Sequence, residues 1–206
     1  MVALASQTAG AAVRSAAAEL LPADARSVSL KLWGLSALVF YRWDEAECAR
    51  RRAVGAAPLD RLAVLETLLG LPPGQQVPLA ALSEAQRAAV RALPRGVCDL
   101  DRRYVVRRAV RPLTVDLAVV RCTGSGWRRG LARAGRFAPF CARALLVDGP
   151  VAEGEELWMQ AAFYGIGLLR PSFAGVDLVL EPRPYRPQRH TAAAWAFVEE
   201  LAVRLT

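Results

Sequence analysis

The hydrophobic and polar positions in the second half of the chain follow the order strand, helix, strand, helix, strand. Short apolar runs predict strands at Thr114–Cys122, Ala142–Val147 and Gly165–Leu169. Between them, Trp127–Phe137 and Glu153–Tyr164 carry apolar residues at helical spacing. Strands that alternate with helices of about 10–15 residues indicate βαβ crossovers and a partly parallel sheet. Open α/β sheets place their sites at strand ends, so functional residues are expected there.

The same pattern predicts which side chains form the core. Apolar residues that share one helix face, or that lie in the uncharged strands, are expected to be buried. They are Trp127, Leu131, Phe137, Leu145, Val147, Leu157, Ala161, Ile166 and Leu168.

Residues 1–94 are predicted to be mostly helical and to precede an α/β core at residues 95–206. Helical spacing predicts a first helix over Ala3–Leu21 and further helices over residues 44–52, 61–69 and 77–94, with Asp60 and Ser83 as N-caps. Ser27–Trp33 alternates polar and apolar residues and predicts a strand. Leu35–Trp43 fits either a second strand or a helix.

Two short segments, Val97–Leu100 and Tyr104–Ala109, predict the arms of a basic hairpin. Two helices followed by such a hairpin is the order of a winged helix, a DNA-reading module, over residues 59–110. The alternative places the hairpin beside the strand at Thr114–Cys122, as part of the α/β sheet. This alternative is preferred, because that strand needs a neighbour.

Composition indicates a folded, strongly basic protein. The 206 residues are 54% hydrophobic, which excludes a disordered chain, and the net charge is +8 with a pI of about 10.1. This charge favours an anionic partner such as nucleic acid. However, Lys31 is the only lysine among 27 basic residues, and Ala is abundant. A coding sequence rich in G and C would produce the same bias without any such partner.

The cysteines and the histidine indicate in which compartment the protein functions and which kinds of metal or catalytic site it could have. The four cysteines (Cys48, Cys98, Cys122 and Cys141) show no C-x-x-C pair and no metal-ligand spacing. Isolated cysteines without an export signal predict a cytoplasmic protein. A single histidine, His190, argues against a histidine-based zinc site or catalytic triad. The longest uncharged apolar run is far shorter than the ~20 residues of a membrane span, so no membrane partner is expected.

The segments Trp127–Phe137, Arg143–Val147 and Tyr164–Leu169 resemble the core of the PD-(D/E)xK nuclease superfamily, over residues 59–181. Helix, hairpin, strand, helix, strand is the order of that core. The resemblance implies a three-layer, restriction-endonuclease-like α/β fold with a mixed sheet. It also implies a divalent-cation site, held by an Asp on the second strand and an Asp/Glu-x-Lys on the third.

The chain departs from that motif on the putative third strand. Asp116-Leu117-Ala118 has alanine at the lysine position, and the shifted register ending at Arg121 has no carboxylate. Asp99, Asp101, Asp116 and Arg121 are therefore only weak catalytic candidates, with Glu66 as a further acid. Asp99 and Asp101 suit turn chemistry, and Asp116 suits an ion pair with Arg121 or a neighbouring arginine. No cofactor is expected, and Mg²⁺ enters only if the chain is a nuclease.

Arginine positions suggest a surface that contacts phosphates. Arg129, Arg133 and Arg136 share one helical face, and arginine binds phosphate through a bidentate fork. An exposed helix face without a ligand would show the same spacing. The predicted nucleic-acid-binding residues are Arg107, Arg108, Arg128, Arg129, Arg133, Arg136, Arg183, Arg186 and Arg189. A Thr123–Gly126 loop between strand and helix is a weaker phosphate-binding candidate.

Three functional hypotheses follow. The leading one is a non-catalytic, nucleic-acid-binding or regulatory scaffold on a degenerate nuclease-like fold. The second is a metal-dependent nuclease with an atypical site around Asp116. The third is a structural subunit that binds another protein or a second copy of itself, with Trp33, Phe40, Tyr41 and Trp43 as interface aromatics.

Overall fold

The computed structural model describes residues 10–206, which form an α/β protein with a six-stranded mixed sheet and a three-stranded antiparallel sheet. These residues also form seven α-helices. They divide into two compact units. The sheet unit comprises the described residues up to Arg42 together with Val115–Arg186. The hairpin unit comprises Trp43–Thr114 and Pro187–Thr206.

The six strands of the large sheet lie side by side in the order in which they occur along the chain. Elements are numbered along the whole chain, so the numbers missing here belong to the hairpin unit. The helices and strands of the sheet unit are α1 (residues 10–16), β1 (Arg26–Leu32), β2 (Leu35–Trp43), β6 (Leu113–Thr123), α5 (Trp127–Gly135), β7 (Ala142–Asp148), α6 (Gly154–Tyr164), β8 (Gly167–Ser172) and β9 (Gly175–Leu180). The strand order is β1-β2-β6-β7-β8-β9. Strands β6, β7 and β8 are parallel to one another, whereas β1–β2 and β8–β9 are antiparallel pairs.

The predicted βαβ succession is confirmed. Val120 lies opposite Leu145 and Cys122 opposite Val147 in the parallel β6–β7 pair, and α5 connects the two strands. All nine predicted core residues are buried. A second set of buried side chains joins α1 to the sheet and comprises Val13, Ala17, Leu21, Phe40, Leu117, Val119, Ala144, Leu146 and Leu169.

The prediction of a mostly helical N-terminal part is wrong. Strands β1 and β2 form a hairpin in which Val28 lies opposite Val39. Trp33 and Gly34, between the strands, both have positive φ (48° and 79°). Two central residues with positive φ characterise the type I′ turn, whose twist matches that of the flanking strands. The turn and the cross-strand pairing therefore settle Leu35–Trp43 as a strand.

The hairpin unit contains the remaining elements. They are α2 (Glu45–Val54), α3 (Leu62–Leu69), β3 (Gln76–Pro78), a 3₁₀ turn (Leu79–Ala81), α4 (Glu84–Arg91), β4 (Cys98–Leu100), β5 (Tyr104–Arg107) and α7 (Ala192–Leu205). The small sheet has the order β3-β5-β4 and is antiparallel. Leu71, Leu79, Val90 and Val105 form a small core of this unit.

Three expectations for this region have different outcomes. The hairpin is confirmed as β4–β5, but its placement beside the strand at residues 114–122 is wrong, because β5 pairs with β3 in the small sheet. Ser83 is confirmed as an N-cap, and with Gln86 it completes a capping box. Asp60 is not a cap, since α3 begins after Arg61 without a side-chain hydrogen bond.

The predicted boundary at residue 94, between an N-terminal region and an α/β core, remains a prediction.

Of the helices within residues 10–206, none is both long enough and apolar enough to cross a membrane.

Candidate nucleic-acid interface

The arginines of α5 differ in how far they are engaged. Arg129 and Arg133 are exposed. Arg128 is exposed too, but its guanidinium donates to Glu153 (2.6 Å) and Glu156 (2.7 Å) and lies 4.3 Å from the Trp127 ring centroid. Arg136 donates to the Trp33 carbonyl, and its guanidinium lies 5.7 Å from the Trp33 ring. Arg129 and Arg133 are therefore the exposed arginines near this helix for which the described residues provide no hydrogen-bond or ring partner.

The proline-rich segment of residues 181–190 precedes α7. Its arginines, Arg183, Arg186 and Arg189, are exposed. It is anchored to the fold at two points. The Arg183 N–H donates to the Gly165 carbonyl (3.1 Å), and the Tyr185 hydroxyl donates to the Pro139 carbonyl (2.6 Å). The Tyr185 hydroxyl is thus engaged with the protein.

The two predicted hairpin arginines have partners within the protein. Arg107 donates to the carbonyls of Leu68, Leu71 and Ala109. Its guanidinium also lies 4.6 Å from the Trp195 ring centroid. Arg108 forms an exposed ion pair with Asp99 (2.7 Å). Arg107 therefore holds the unit together, and Arg108 is partly neutralised.

Sequence reasoning did not select the arginines at the tip of the hairpin, Arg102 and Arg103, which are exposed. Asp101 shapes this turn by accepting hydrogen bonds from the N–H groups of Arg103 (2.6 Å) and Tyr104 (2.7 Å). These two bonds hold the pKa of Asp101 below its usual value. The doublet itself was the available signal, because two basic residues at a hairpin turn must project into solvent.

The hairpin tip lies beside the turn that precedes α4. The Leu79 N–H, in the 3₁₀ turn, donates to the Arg103 carbonyl (2.8 Å), and Pro78 of β3 lies opposite Tyr104 of β5. Helix α4 then begins at its Ser83 capping box. The chain thus places two exposed arginines next to the start of an exposed helix.

The catalytic candidates are separated and are engaged in local contacts. Asp116 accepts from Arg42 Nε (3.1 Å) and Nη2 (2.9 Å), a bidentate pair between adjacent strands β6 and β2. Arg121 pairs with Asp148 rather than with Asp116. Glu66 is exposed on α3. Within residues 10–206, no group of three or more His, Cys, Asp or Glu side chains could hold a metal ion.

A buried ionic network in the hairpin unit was not foreseen. Glu47 and Glu199 are 3% and 2% exposed. Arg51 donates to Glu47 (2.7 Å) and through both terminal nitrogens to Glu199 (2.7 Å each), and Arg50 donates to Glu47 (2.7 and 2.8 Å). Trp195 Nε1 donates to Glu199 as well (2.9 Å). The helical spacing of Glu47, Arg50 and Arg51 was the only local signal.

The Thr123–Gly126 loop is shaped by packing. A Cβ added at Gly124 would lie 1.9 Å from the Pro150 carbonyl oxygen, so the loop contacts the turn after β7 directly. The glycine is therefore needed for this close approach between two loops.

Exposed apolar side chains concentrate on α6, not on the N-terminal aromatics. Phe40 and Tyr41 are buried, Trp43 is half-buried and Trp33 is 36% exposed. By contrast, at least half of each side chain is exposed at Trp158, Met159, Phe163 and Tyr164. Phe173, in the β8–β9 turn, is also fully exposed.

Comparison with known proteins gives no assignment. No family model, no curated protein and no solved structure matches this chain.

Proposed function

We propose that the protein binds nucleic acid without cutting it, and that the hairpin unit makes the main contact. The observation that carries this proposal is the succession α3, β3, α4, β4–β5, whose strands form one small sheet. This resembles the winged-helix order. In helix-turn-helix modules the second helix lies in the major groove. The objection to this interpretation was that the large sheet needed the hairpin, and that objection no longer applies.

Charge and side-chain size on this surface support the same proposal. Arg102 and Arg103 are exposed at the hairpin tip, and Arg91 is exposed at the end of α4. Ala85 and Ala88 are exposed on α4 as well, so that face has small side chains that allow a close approach to a groove. Phosphate contacts from the arginines would supply affinity that does not depend on base sequence.

We also propose that the sheet unit has a restriction-endonuclease-like, three-layer fold. The sequence placed this core within residues 59–181, but the hairpin there, β4–β5, lies in the small sheet. The order helix, hairpin, strand, helix, strand is met instead by α1, β1–β2, β6, α5 and β7. Helix α1 packs on the face that contains Ala144 and Leu146. Gly130 of α5 approaches Leu145, which points to the opposite face. Helices on both faces are what a three-layer core requires.

The absence of catalysis is proposed from the surroundings of Asp116. Strand β2, its neighbour, contributes Arg42, whose guanidinium occupies both carboxylate oxygens. Ala118 stands where the superfamily has lysine. Because the Asp116 carboxylate is already paired with a guanidinium that stays charged, it does not require Mg²⁺ to balance its charge. Arginine is also a poor proton acceptor, so it could not replace the lysine as a base.

The test is a binding titration of the purified chain against a duplex and a single-stranded oligonucleotide, at about 50 and 200 mM salt. We expect duplex binding that weakens with salt. R102E/R103E should weaken it at least about tenfold and reduce the log–log salt slope by about 2, since two phosphate contacts are lost.

R129E/R133E is the matched control, because it reverses the same number of exposed arginines in the sheet unit. If it weakens binding more than R102E/R103E does, the hairpin unit is not the main contact. Absence of binding to either oligonucleotide at low salt would refute the nucleic-acid role and leave the positive charge as codon bias.

Catalysis is tested separately by incubating the protein and nucleic acid with Mg²⁺ or Mn²⁺. We expect no cleavage. Metal-dependent cleavage that disappears in Asp116→Ala would support the nuclease alternative instead.

The exposed aromatic face of α6 favours a second candidate function, self-assembly through Trp158, Met159 and Phe163. Size-exclusion chromatography coupled to light scattering tests this second function, because it measures the molar mass of the protein in solution. A dimer that becomes monomeric in W158S/F163S would support assembly, whereas a wild-type monomer at all concentrations would exclude it.

A further inference from the structure

A cavity of about 360 Å³ lies between helices α5 and α6 in the sheet unit. The α5 side presents the small residues Ala132 and Gly135, so no side chain fills the space. Arg143 of β7 lines the cavity, together with Gln160 and Tyr164 of α6. The cavity therefore combines a charged group with room for a ligand.

Arg143 has more hydrogen-bonding capacity than the protein uses. Its Nη2 donates to the Tyr164 carbonyl at the end of α6. Its Nε is buried and has no partner within residues 10–206. No carboxylate in that part of the chain pairs with it. Burial lowers the pKa of Arg143, and the nearby charge of Arg183 lowers it further.

Arg183 approaches the same end of α6. A Cβ added at Gly165 would lie 2.8 Å from Arg183 Cβ and 3.2 Å from its Nε. At the other end of the cavity, Arg128 is already balanced by Glu153 and Glu156. The uncompensated positive charge therefore lies at the end that Arg143 lines. Arg183 is not a lining residue, but it is close enough for its charge to act on Arg143.

We propose that this cavity binds a phosphate monoester, with the phosphate at Arg143 and Arg183. Two guanidinium groups without a carboxylate match the charge and fork geometry of a phosphate dianion. A buried donor without a partner is explained when a ligand supplies the acceptor. The cavity is larger than a phosphate ion, so the organic part of the ester would pack against Leu131 and Ile166. All these residues belong to the sheet unit, so the inference does not depend on the proposed role of the hairpin unit.

The test is calorimetric titration of the full chain with inorganic phosphate, AMP and adenosine. We expect AMP to bind more tightly than phosphate, and adenosine not to bind detectably. R143Q and R183Q should each weaken AMP binding at least about tenfold, since each removes one charged contact. R170Q, at an exposed arginine of β8 that does not line this cavity, should bind AMP as the wild type does.

Equal binding of AMP and adenosine would overturn the proposal, as would unchanged AMP binding by R143Q and R183Q. Because Arg183 is exposed, R183Q keeps the test valid if R143Q fails to fold. A 5′-phosphorylated oligonucleotide that displaces AMP, where its 5′-hydroxyl counterpart does not, would identify a strand end as the source of the phosphate. Absence of displacement would identify a free mononucleotide.

Discussion

The hairpin unit and the sheet unit differ in whether a buried arginine has a carboxylate partner. In the hairpin unit, Arg51 meets two buried carboxylates, Glu47 and Glu199, and every nitrogen of its guanidinium donates a hydrogen bond. In the sheet unit, Arg143 has a carbonyl partner but no counter-charge among residues 10–206. A compensated arginine stabilises its own fold. An uncompensated one leaves a donor and a charge for a ligand, which is why we infer a site at Arg143.

The compensated network joins distant parts of the chain. Arg51 lies on α2 and Glu199 on α7, and Arg51 also donates to the Val110 carbonyl (2.9 Å). The Leu59 N–H and Trp195 Nε1 donate to Glu199, so its oxygens are well satisfied. Removing one partner would leave the others buried and unpaired, which costs more than the pair itself contributes.

Glu199→Ala should therefore produce the largest effect, a loss of about 3–5 kcal/mol in the free energy of unfolding. Glu200→Ala is the matched control, because Glu200 lies next to it in α7 but forms an exposed pair with Arg204. We expect the control to change stability by less than about 0.5 kcal/mol. Denaturant titration measures both, and equal losses would contradict the comparison.

The network should also make stability depend on pH. Burial alone would raise the pKa of Glu47, but hydrogen bonds and charges from Arg50 and Arg51 outweigh it, and the pKa lies below the ordinary value of 4.5. The stabilisation is therefore complete above about pH 4.5 and is lost as pH falls through the lower, folded-state pKa. The difference in unfolding free energy between wild type and Glu47→Gln should shrink over that range. A constant difference down to pH 3 would contradict this.

Asp116→Asn should have a smaller effect, about 1 kcal/mol, because the Arg42 side chain of this pair is 36% exposed while Asp116 is 13% exposed. Asp148→Asn tests the same change where Arg121 is 70% exposed, and no measurable loss is expected. Thermal unfolding of the two variants side by side provides the measurement. A loss in Asp148→Asn as large as that in Asp116→Asn would show that exposure does not govern these pairs.

Arg143→Met should cost little, within about 1 kcal/mol, or be slightly stabilising without ligand, because it removes an uncompensated charge. The same substitution at Arg51 should cost about 3–5 kcal/mol. Unfolding free energies measured in phosphate-free buffer compare the two directly. If Arg143→Met cost as much as Arg51→Met, Arg143 would be structural, and the distinction between the two units would fail.

Sequence reasoning was most accurate where each element has its own period. The βαβ succession at β6–β8 and its nine core residues were predictable, because the apolar residues of each helix and strand already lie on one face. The prediction of which arginines could bind nucleic acid was less accurate. Arg107 and Arg108 were selected for their charge, yet Arg107 binds three carbonyls and Arg108 pairs with Asp99. Such partners lie far apart in the chain, and no local pattern reveals them.

By itself, the sequence determined the type of most elements, the parallel part of the large sheet and the Ser83 cap. These depend on local periodicity and composition, which the chain carries directly. Tertiary structure alone decided that the hairpin pairs with β3, that Arg42 binds Asp116, that Glu47 and Glu199 neutralise Arg51, and that Arg143 is left without a counter-charge. Strand partners and charge partners are selected by burial and proximity in space, and the neighbouring residues in the chain do not encode them.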